Sequence, residues 1–219
     1  MKEYQDNNWD RYYQKNWNTG KNSLPITKII MNNAKKNEKG FYVGLGTGRN
    51  AIPLMDGGWD LYTSDISKVC ISRMCEAFPQ YQERMKRGEL LDVYKKVEQF
   101  DYAVCSKVLV YDSKINTVNS LKKLKLRIKK DGDLFFEFPA IGTDIWSNWI
   151  DYSMTINGSL IVKYGENSAS KLYLSFPDLC SVMEQAGFKM IKAPISVDLP
   201  RTNFPGGIVR DWVGVAKSM

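Results

Sequence analysis

The chain contains no histidine among its 219 residues. The commonest general base is therefore absent, and every triad that needs an imidazole is excluded. Its four cysteines, Cys70, Cys75, Cys105 and Cys180, form no C-x-x-C pair. Without histidine or paired thiols the usual donor set of a zinc site is missing, and no metal is expected. Cys105 lies in an apolar run, where a thiol behaves as a small hydrophobe. No run reaches the roughly 18 apolar residues a membrane span needs. The start, Met1-Lys2-Glu3-Tyr4-Gln5-Asp6, is polar and has no signal-peptide core. These absences point to a cytoplasmic protein.

Acidic residues are the scarcer charge, 24 against 31 Lys and Arg, for a net charge of +7. A basic balance attracts nucleic acid or anionic lipid. Much of the excess sits in residues 121–130, where lysines surround an apolar face made of Val118, Leu121, Leu124 and Ile128. That pattern reads either as a solvated helix packed on a sheet or as a cationic contact surface. Apolar residues make up 43% and charged residues 25%, an ordinary globular balance. With no internal repeat and no linker, the chain is expected to form one domain over residues 1–219.

The strongest feature is Phe41-Tyr42-Val43-Gly44-Leu45-Gly46-Thr47-Gly48-Arg49-Asn50. A β-prone run ends in glycines at alternate positions, and Ala51-Ile52-Pro53-Leu54-Met55 reads as a helix start. Strand, glycine turn and helix build a ligand site at the carboxyl edge of an open α/β sheet. Such a turn also occurs with no ligand. The G-x-G-x-G spacing departs from the G-x-G-x-x-G of dinucleotide enzymes. Residues 59–65 read as a second strand ending in Asp65, 17 positions past Gly48. An acid there either accepts from both ribose hydroxyls of an adenosine ligand or caps the helix that follows.

The segment 43–51, the turn Gly58-Trp59-Asp60 and Ser64-Asp65-Ile66-Ser67 resemble class I S-adenosylmethionine-dependent methyltransferases. Within that class, Gly48-Arg49-Asn50-Ala51 resembles small-molecule enzymes of the tellurite-resistance and thiopurine or thiol methyltransferase groups. The resemblance spans about residues 40–217. It implies a Rossmann-like, seven-stranded, mostly parallel sheet with an antiparallel last strand and helices on both faces. It implies S-adenosylmethionine as co-substrate, held by Gly44, Leu45, Gly46, Gly48, Asn50, Asp65 and Ile66. It places Asp92 and Val93 on the adenine edge, although Asp92 can equally cap a helix near Tyr94. Ser106 and Lys107, at the end of the strand 100–106, lie where the methyl group is presented. The family usually has an acid where this chain has Tyr42, which leaves that contact with the methionine end unassigned. The Asn/Asp-Pro-Pro-aromatic motif of DNA amino-methyltransferases is absent after Cys105, which argues against base methylation of that kind.

Trp9, Tyr12, Tyr13 and Trp17 recur at helical spacing. They suit either packing on the domain or, as in resembling enzymes, an N-terminal arm (1–23) that closes over the ligand. An aromatic face such as Trp9 or Tyr13 suits a sulfonium cation. Helices are expected over 4–17, 25–34, 50–55, 67–78, 114–130 and 176–186. Strands are expected over 41–45, 60–64, 84–90, 100–106, 133–139, 188–193 and 211–217, with a long loop over 199–207. Residues 143–175, with Asn157-Gly158 as a hairpin turn and Gly165-Glu166-Asn167-Ser168 as a second turn, read as a β-hairpin insertion over the substrate side. The expected activity is in-line methyl transfer to a small-molecule S, N or O nucleophile. A thiol, selenol or amine needs little help from a protein base. Lys107, Tyr111 and Asp112 are the catalytic candidates by position. RNA or protein methylation, or ligand binding without catalysis, are the alternatives. The protein is expected to be a monomer or dimer.

Overall fold

The computed structural model describes residues 2–18, 22–97, 99–146, 152–156, 158–164, 170–201 and 206–219. The main sheet is built from β1 (Lys39–Val43), β2 (Asp60–Asp65), β3 (Met85–Arg87), β4 (Phe100–Ser106), β5 (Ile128–Pro139), β9 (Phe188–Met190), β10 (Ile195–Pro200) and β11 (Ile208–Ser218). It runs β10-β11-β5-β4-β1-β2-β3, with β9 also paired to β11. β1 pairs in parallel with β2 and β4, β2 with β3, and β4 with β5. β11 is antiparallel to β5, β9 and β10. The sixth strand of the expected seven is divided into β9 and β10, so eight strands result. β10 takes Leu199 and Pro200 out of the expected loop.

Parallel strands buried on both faces should be apolar throughout, and β4 is buried at every residue but Asp101. Successive side chains feed opposite cores. Phe41, Ala103 and Phe136 pack with helices α5 (Lys114–Lys125) and α6 (Phe176–Gln185). Tyr42, Val104 and Phe135 pack with α2 (Pro25–Asn33), α3 (Ala51–Asp56) and α4 (Lys68–Ala77). The strand order reverses at β1, which lies between β2 and β4. That is the point where an open α/β sheet leaves a crevice at its carboxyl edge.

Several boundaries differ from the sequence reading. β1 ends at Val43 because the Gly44 and Leu45 N–H groups turn to donate to the Ser64 carbonyl at 2.8 and 2.9 Å. The basic helix does not reach residue 130. α5 stops at Lys125, and Ile128 already pairs with Phe100 in β5. The buried Arg127 turns its guanidinium inward to donate to the carbonyls of Val93 (3.0 Å), Tyr94 (3.1 Å) and Val97 (3.3 Å). Asp131-Gly132 is therefore an irregularity inside a strand, with Asp131 at φ 61°, and not a helix stop. No helix starts near Tyr94 among the described residues, and Tyr94 itself has φ 51°.

The insertion contains the expected hairpin, β6 (Tyr152–Ile156) and β7 (Ser159–Lys163), and a third antiparallel strand, β8 (Lys171–Tyr173). Gly158 turns it at φ 79°. Asn157, Trp149 and the expected turn at 165–168 lie outside the described residues. Single bridges, Tyr111 with Lys171 and Ala140 with Leu174, join this sheet to the main one. Helix α1 (Lys2–Lys15) lies against α4.

Candidate functional site

At the carboxyl ends of β1, β2 and β4 the structure opens a cavity of about 940 Å³. The glycine turn forms one wall, and its glycines have different reasons to lack a side chain. Gly46 (φ 56°) faces the cavity, where a Cβ would come 3.3 Å from the Tyr13 hydroxyl. At Gly48 (φ 74°) a Cβ would instead meet Met74 at 2.5 Å. Gly48 therefore packs on the helix layer and does not line the cavity. Gly44, Leu45 and Asn50 do line it.

Asp65 ends β2 and is buried. Its Oδ2 accepts from Gly46 N–H at 3.0 Å and its Oδ1 from Ser67 N–H at 2.9 Å. Burial pushes its carboxyl above the usual range. The cap of α4 is Ser67, whose Oγ accepts from Cys70 N–H at 3.1 Å. Ile66 and Asp92 join Asp65 in the lining, Asp92 on an exposed loop. Val93 does not line the cavity; its side chain lies in the core and its carbonyl serves Arg127.

The floor is polar. The buried Tyr42 hydroxyl accepts from Asn50 Nδ2 at 2.9 Å, and burial pushes its pKa up to about 12. Asn50 Oδ1 accepts from Leu24 N–H (2.8 Å) and the Thr27 hydroxyl (3.2 Å), which ties α2 to the glycine turn. Ser106 donates to Glu137 Oε2. Glu137 is fully buried, its Oε1 has no hydrogen-bond partner among the described residues, and burial pushes its carboxyl up. Lys107 (φ 56°) extends its ammonium to the buried Asp211 on β11, at 2.6 Å. Tyr111 donates to the Lys107 carbonyl at 3.3 Å. Asp112 (φ 66°) lines the rim, and its N–H donates to Ser170 O at 3.0 Å. Lys171 enters from β8.

Helix α1 roofs the cavity with Trp9, Tyr12 and Tyr13. Tyr13 is 9% exposed and Tyr12 44%, so the stripe is only partly a packing surface. Trp9 stacks on Tyr13 at 6.1 Å and meets Tyr111 edge-on at 6.0 Å. Burial, with Asp65 nearby, pushes the Tyr13 hydroxyl far up, so it stays neutral. Arg73 on α4 donates to the Tyr13 carbonyl at 2.8 Å and covers the Trp17 ring at 5.4 Å.

Sequence reasoning did not assign Arg49, Glu137, Lys171 or Asp211. Arg49 lines the cavity and has no ion pair among the described residues; its place inside the glycine motif was the available signal. The other three stand in no motif and are brought in by β5, β8 and β11. Among the described residues no group of three or more potential metal ligands is present. No helix among them is long and apolar enough to cross a membrane.

No protein-family model matches the chain, and no curated protein matches it. Solved structures do. An S-adenosylmethionine-dependent methyltransferase from Methanosarcina mazei is 16% identical, with a TM-score of 0.71 over 91% of this chain and 99% of that one. The 1,6-didemethyltoxoflavin-N1-methyltransferase of Burkholderia thailandensis, solved with 1,6-didemethyltoxoflavin and S-adenosylhomocysteine, is 12% identical, with a TM-score of 0.70 over 99% and 88%. TehB from Haemophilus influenzae is 12% identical, with a TM-score of 0.62 over 96% and 67%. The strand order, the switch point at β1 and these likenesses agree: the chain has the fold of class I S-adenosylmethionine-dependent methyltransferases.

Proposed function

We propose that the chain transfers a methyl group from S-adenosylmethionine to a small-molecule acceptor. The observation that carries this reading is the pairing of Gly46 and Asp65 on the wall of one cavity beneath the aromatic helix α1. The donors and acceptors there suit the co-substrate. Asp65 accepts two backbone N–H groups and the Cys70 thiol, which leaves acceptor capacity for a ribose hydroxyl. Asp92 would accept from the adenine amino group, with the Val93 N–H on a ring nitrogen. Arg49 would take the methionine carboxylate. The neutral Tyr42 hydroxyl and Glu137 stand in for the acid expected at position 42, and the unsatisfied Glu137 Oε1 offers an acceptor toward the methionine ammonium. Trp9 and Tyr13 would present their ring faces to the sulfonium.

A sulfonium methyl is already activated toward displacement. The chain's contribution is then to align the acceptor and exclude water, and alignment of this kind supplies about 7–11 kcal/mol. The roof formed by α1 favours a small acceptor over a polymer, as does the 1,6-didemethyltoxoflavin bound in the Burkholderia thailandensis neighbour. The single domain, with residues 1–23 as a lid and 143–175 over the acceptor side, belongs to the same proposal. A methyl-acceptor screen with labelled S-adenosylmethionine, followed by mass identification of the product, tests it. Calorimetry in which NAD binds tightly and S-adenosylhomocysteine does not would overturn it.

A further inference from the structure

β8 brings an amine to the acceptor side of the cavity. The Lys171 side chain lines it beside Lys107 and Tyr111. Its strand is stitched to the loop that follows β4. Tyr111 and Lys171 form a bridge, Leu172 N–H donates to Val110 O at 3.2 Å, and Asp112 N–H donates to Ser170 O at 3.0 Å. The amine is thereby held in register with Tyr111, in the same cavity as Ser106 and Lys107, where the methyl group is expected.

Among the described residues, the charges around Lys171 leave it without an acid of its own. Asp211 faces it from β11, but that carboxylate holds Lys107 at 2.6 Å. Lys107 and Arg201 add like charge, and the Tyr173 ring lies 5.4 Å from the ammonium. Tyr111 faces it neutral, and Glu137 is engaged with Ser106. No ion pair to Lys171 exists among the described residues. Burial first, and Lys107 second, lower its pKa to about 8. At pH 7.5 about one amine in four is then neutral, against about one in eight hundred for an ordinary lysine near 10.4. In a chain without histidine, this amine is a cavity group whose unprotonated, basic form is made more accessible. The phenols of Tyr13, Tyr42 and Tyr111 are pushed up and so resist becoming phenolate bases.

We propose that Lys171 is the general base for the acceptor, and that the acceptor is a small molecule whose nucleophile is an N–H or O–H group. This rests on the methyl-transfer reading. The acceptor heteroatom forms a bond to the methyl carbon as the carbon–sulfur bond breaks. The breaking pair goes to sulfur, giving the neutral thioether, and the heteroatom's proton passes to the Lys171 amine, which becomes an ammonium. The expectation that a thiol, selenol or amine needs little help from a protein base is untouched by this proposal, which concerns an acceptor that must give up a proton as it is methylated.

The test uses the full chain with S-adenosylhomocysteine and two probes. Phenol, un-ionised at neutral pH with a pKa of about 10, must lose its O–H proton on methylation, and 4-nitrothiophenol is already a thiolate at neutral pH. Protein carrying 13C at the lysine ε-carbon is titrated as its S-adenosylhomocysteine complex, with the Lys171 signal assigned by its loss in Lys171→Met. The expected result is a midpoint near 8 and phenol methylation that rises with pH through that midpoint. That rate should fall at least about 100-fold in both Lys171→Met and Lys171→Arg, with thiolate methylation and S-adenosylhomocysteine affinity kept. A Lys171→Arg variant as active as the wild type would show that only positive charge is needed and would overturn the proposal. So would a Lys171 midpoint at about 10.4. If neither probe is methylated, the midpoint decides alone. A wild-type chain that does not bind S-adenosylhomocysteine overturns the methyl-transfer reading instead.

Discussion

Asp10 of helix α1 reaches across to Ser67, the capping residue of α4. Its Oδ1 accepts from the Ser67 hydroxyl and, at 3.1 Å, from Val69 N–H. A carboxylate at a helix N-terminus satisfies donors that the helix leaves free. The bond that caps α4 also holds the aromatic roof over Asp65. Asp10→Ala is expected to raise the dissociation constant for S-adenosylhomocysteine while shifting the melting temperature by no more than a lost cap, about 0.5–2 kcal/mol. Deleting residues 1–17 should raise that constant further. Since Tyr13 is buried, the deletion should also lower the melting temperature. Unchanged affinity in both variants would make α1 a packing element and not a lid.

Gly46→Val is expected to abolish ligand binding in a protein that still folds. The position has φ 56°, and the new side chain would crowd the Tyr13 hydroxyl. A β-branched residue in that backbone region costs about 1–2 kcal/mol, less than a domain's usual stability of about 5–15 kcal/mol. Native circular dichroism with wild-type affinity would remove the glycine turn from the site.

Asp65→Ala should weaken S-adenosylhomocysteine binding by about 1.5–3 kcal/mol, the range for hydrogen bonds to a charged group. Ser67 carries the α4 cap, so helix stability gives Asp65 little competing role. An unchanged dissociation constant by calorimetry would reduce Asp65 to a brace for Gly46 and Ser67.

Glu137→Gln keeps an acceptor for Ser106 and removes a buried charge. Because burial raises the folded carboxyl's pKa, the folded chain holds that proton to higher pH than the unfolded one. Wild-type stability from this group is present at low pH and is lost as pH rises through the folded pKa. The melting temperature of Glu137→Gln relative to wild type should therefore rise with pH. A difference that stays flat from pH 5 to 9 would show that Lys107 and Ser106 fully compensate the charge.

The order of β1, α3, β2 and α4 was legible because each is short and local: an apolar run, a glycine turn, an acid, a cap. The basic stretch after Lys125 was not. Its lysines and apolar spacing suit a helix, and only the inward turn of Arg127 and the pairing of Ile128 with Phe100 make it a strand. The glycine-turn wall of the cavity was readable from residues 44–65 for the same reason. The wall opposite was not, since Lys171 and Asp211, the buried partner of Lys107, stand in no motif and are brought there only through long-range pairing.

β11 comes last among the strands of the main sheet yet lies inside it, between β5 and β10. The sheet therefore cannot close as the chain is made. β5 waits with an open edge until β11 arrives, and sheets built on such distant pairings fold slowly. Asp211 travels on that strand. The counter-ion of Lys107 is therefore carried by the last strand of the sheet, so the electrostatics of the cavity depend on a pairing remote in sequence from the glycine turn.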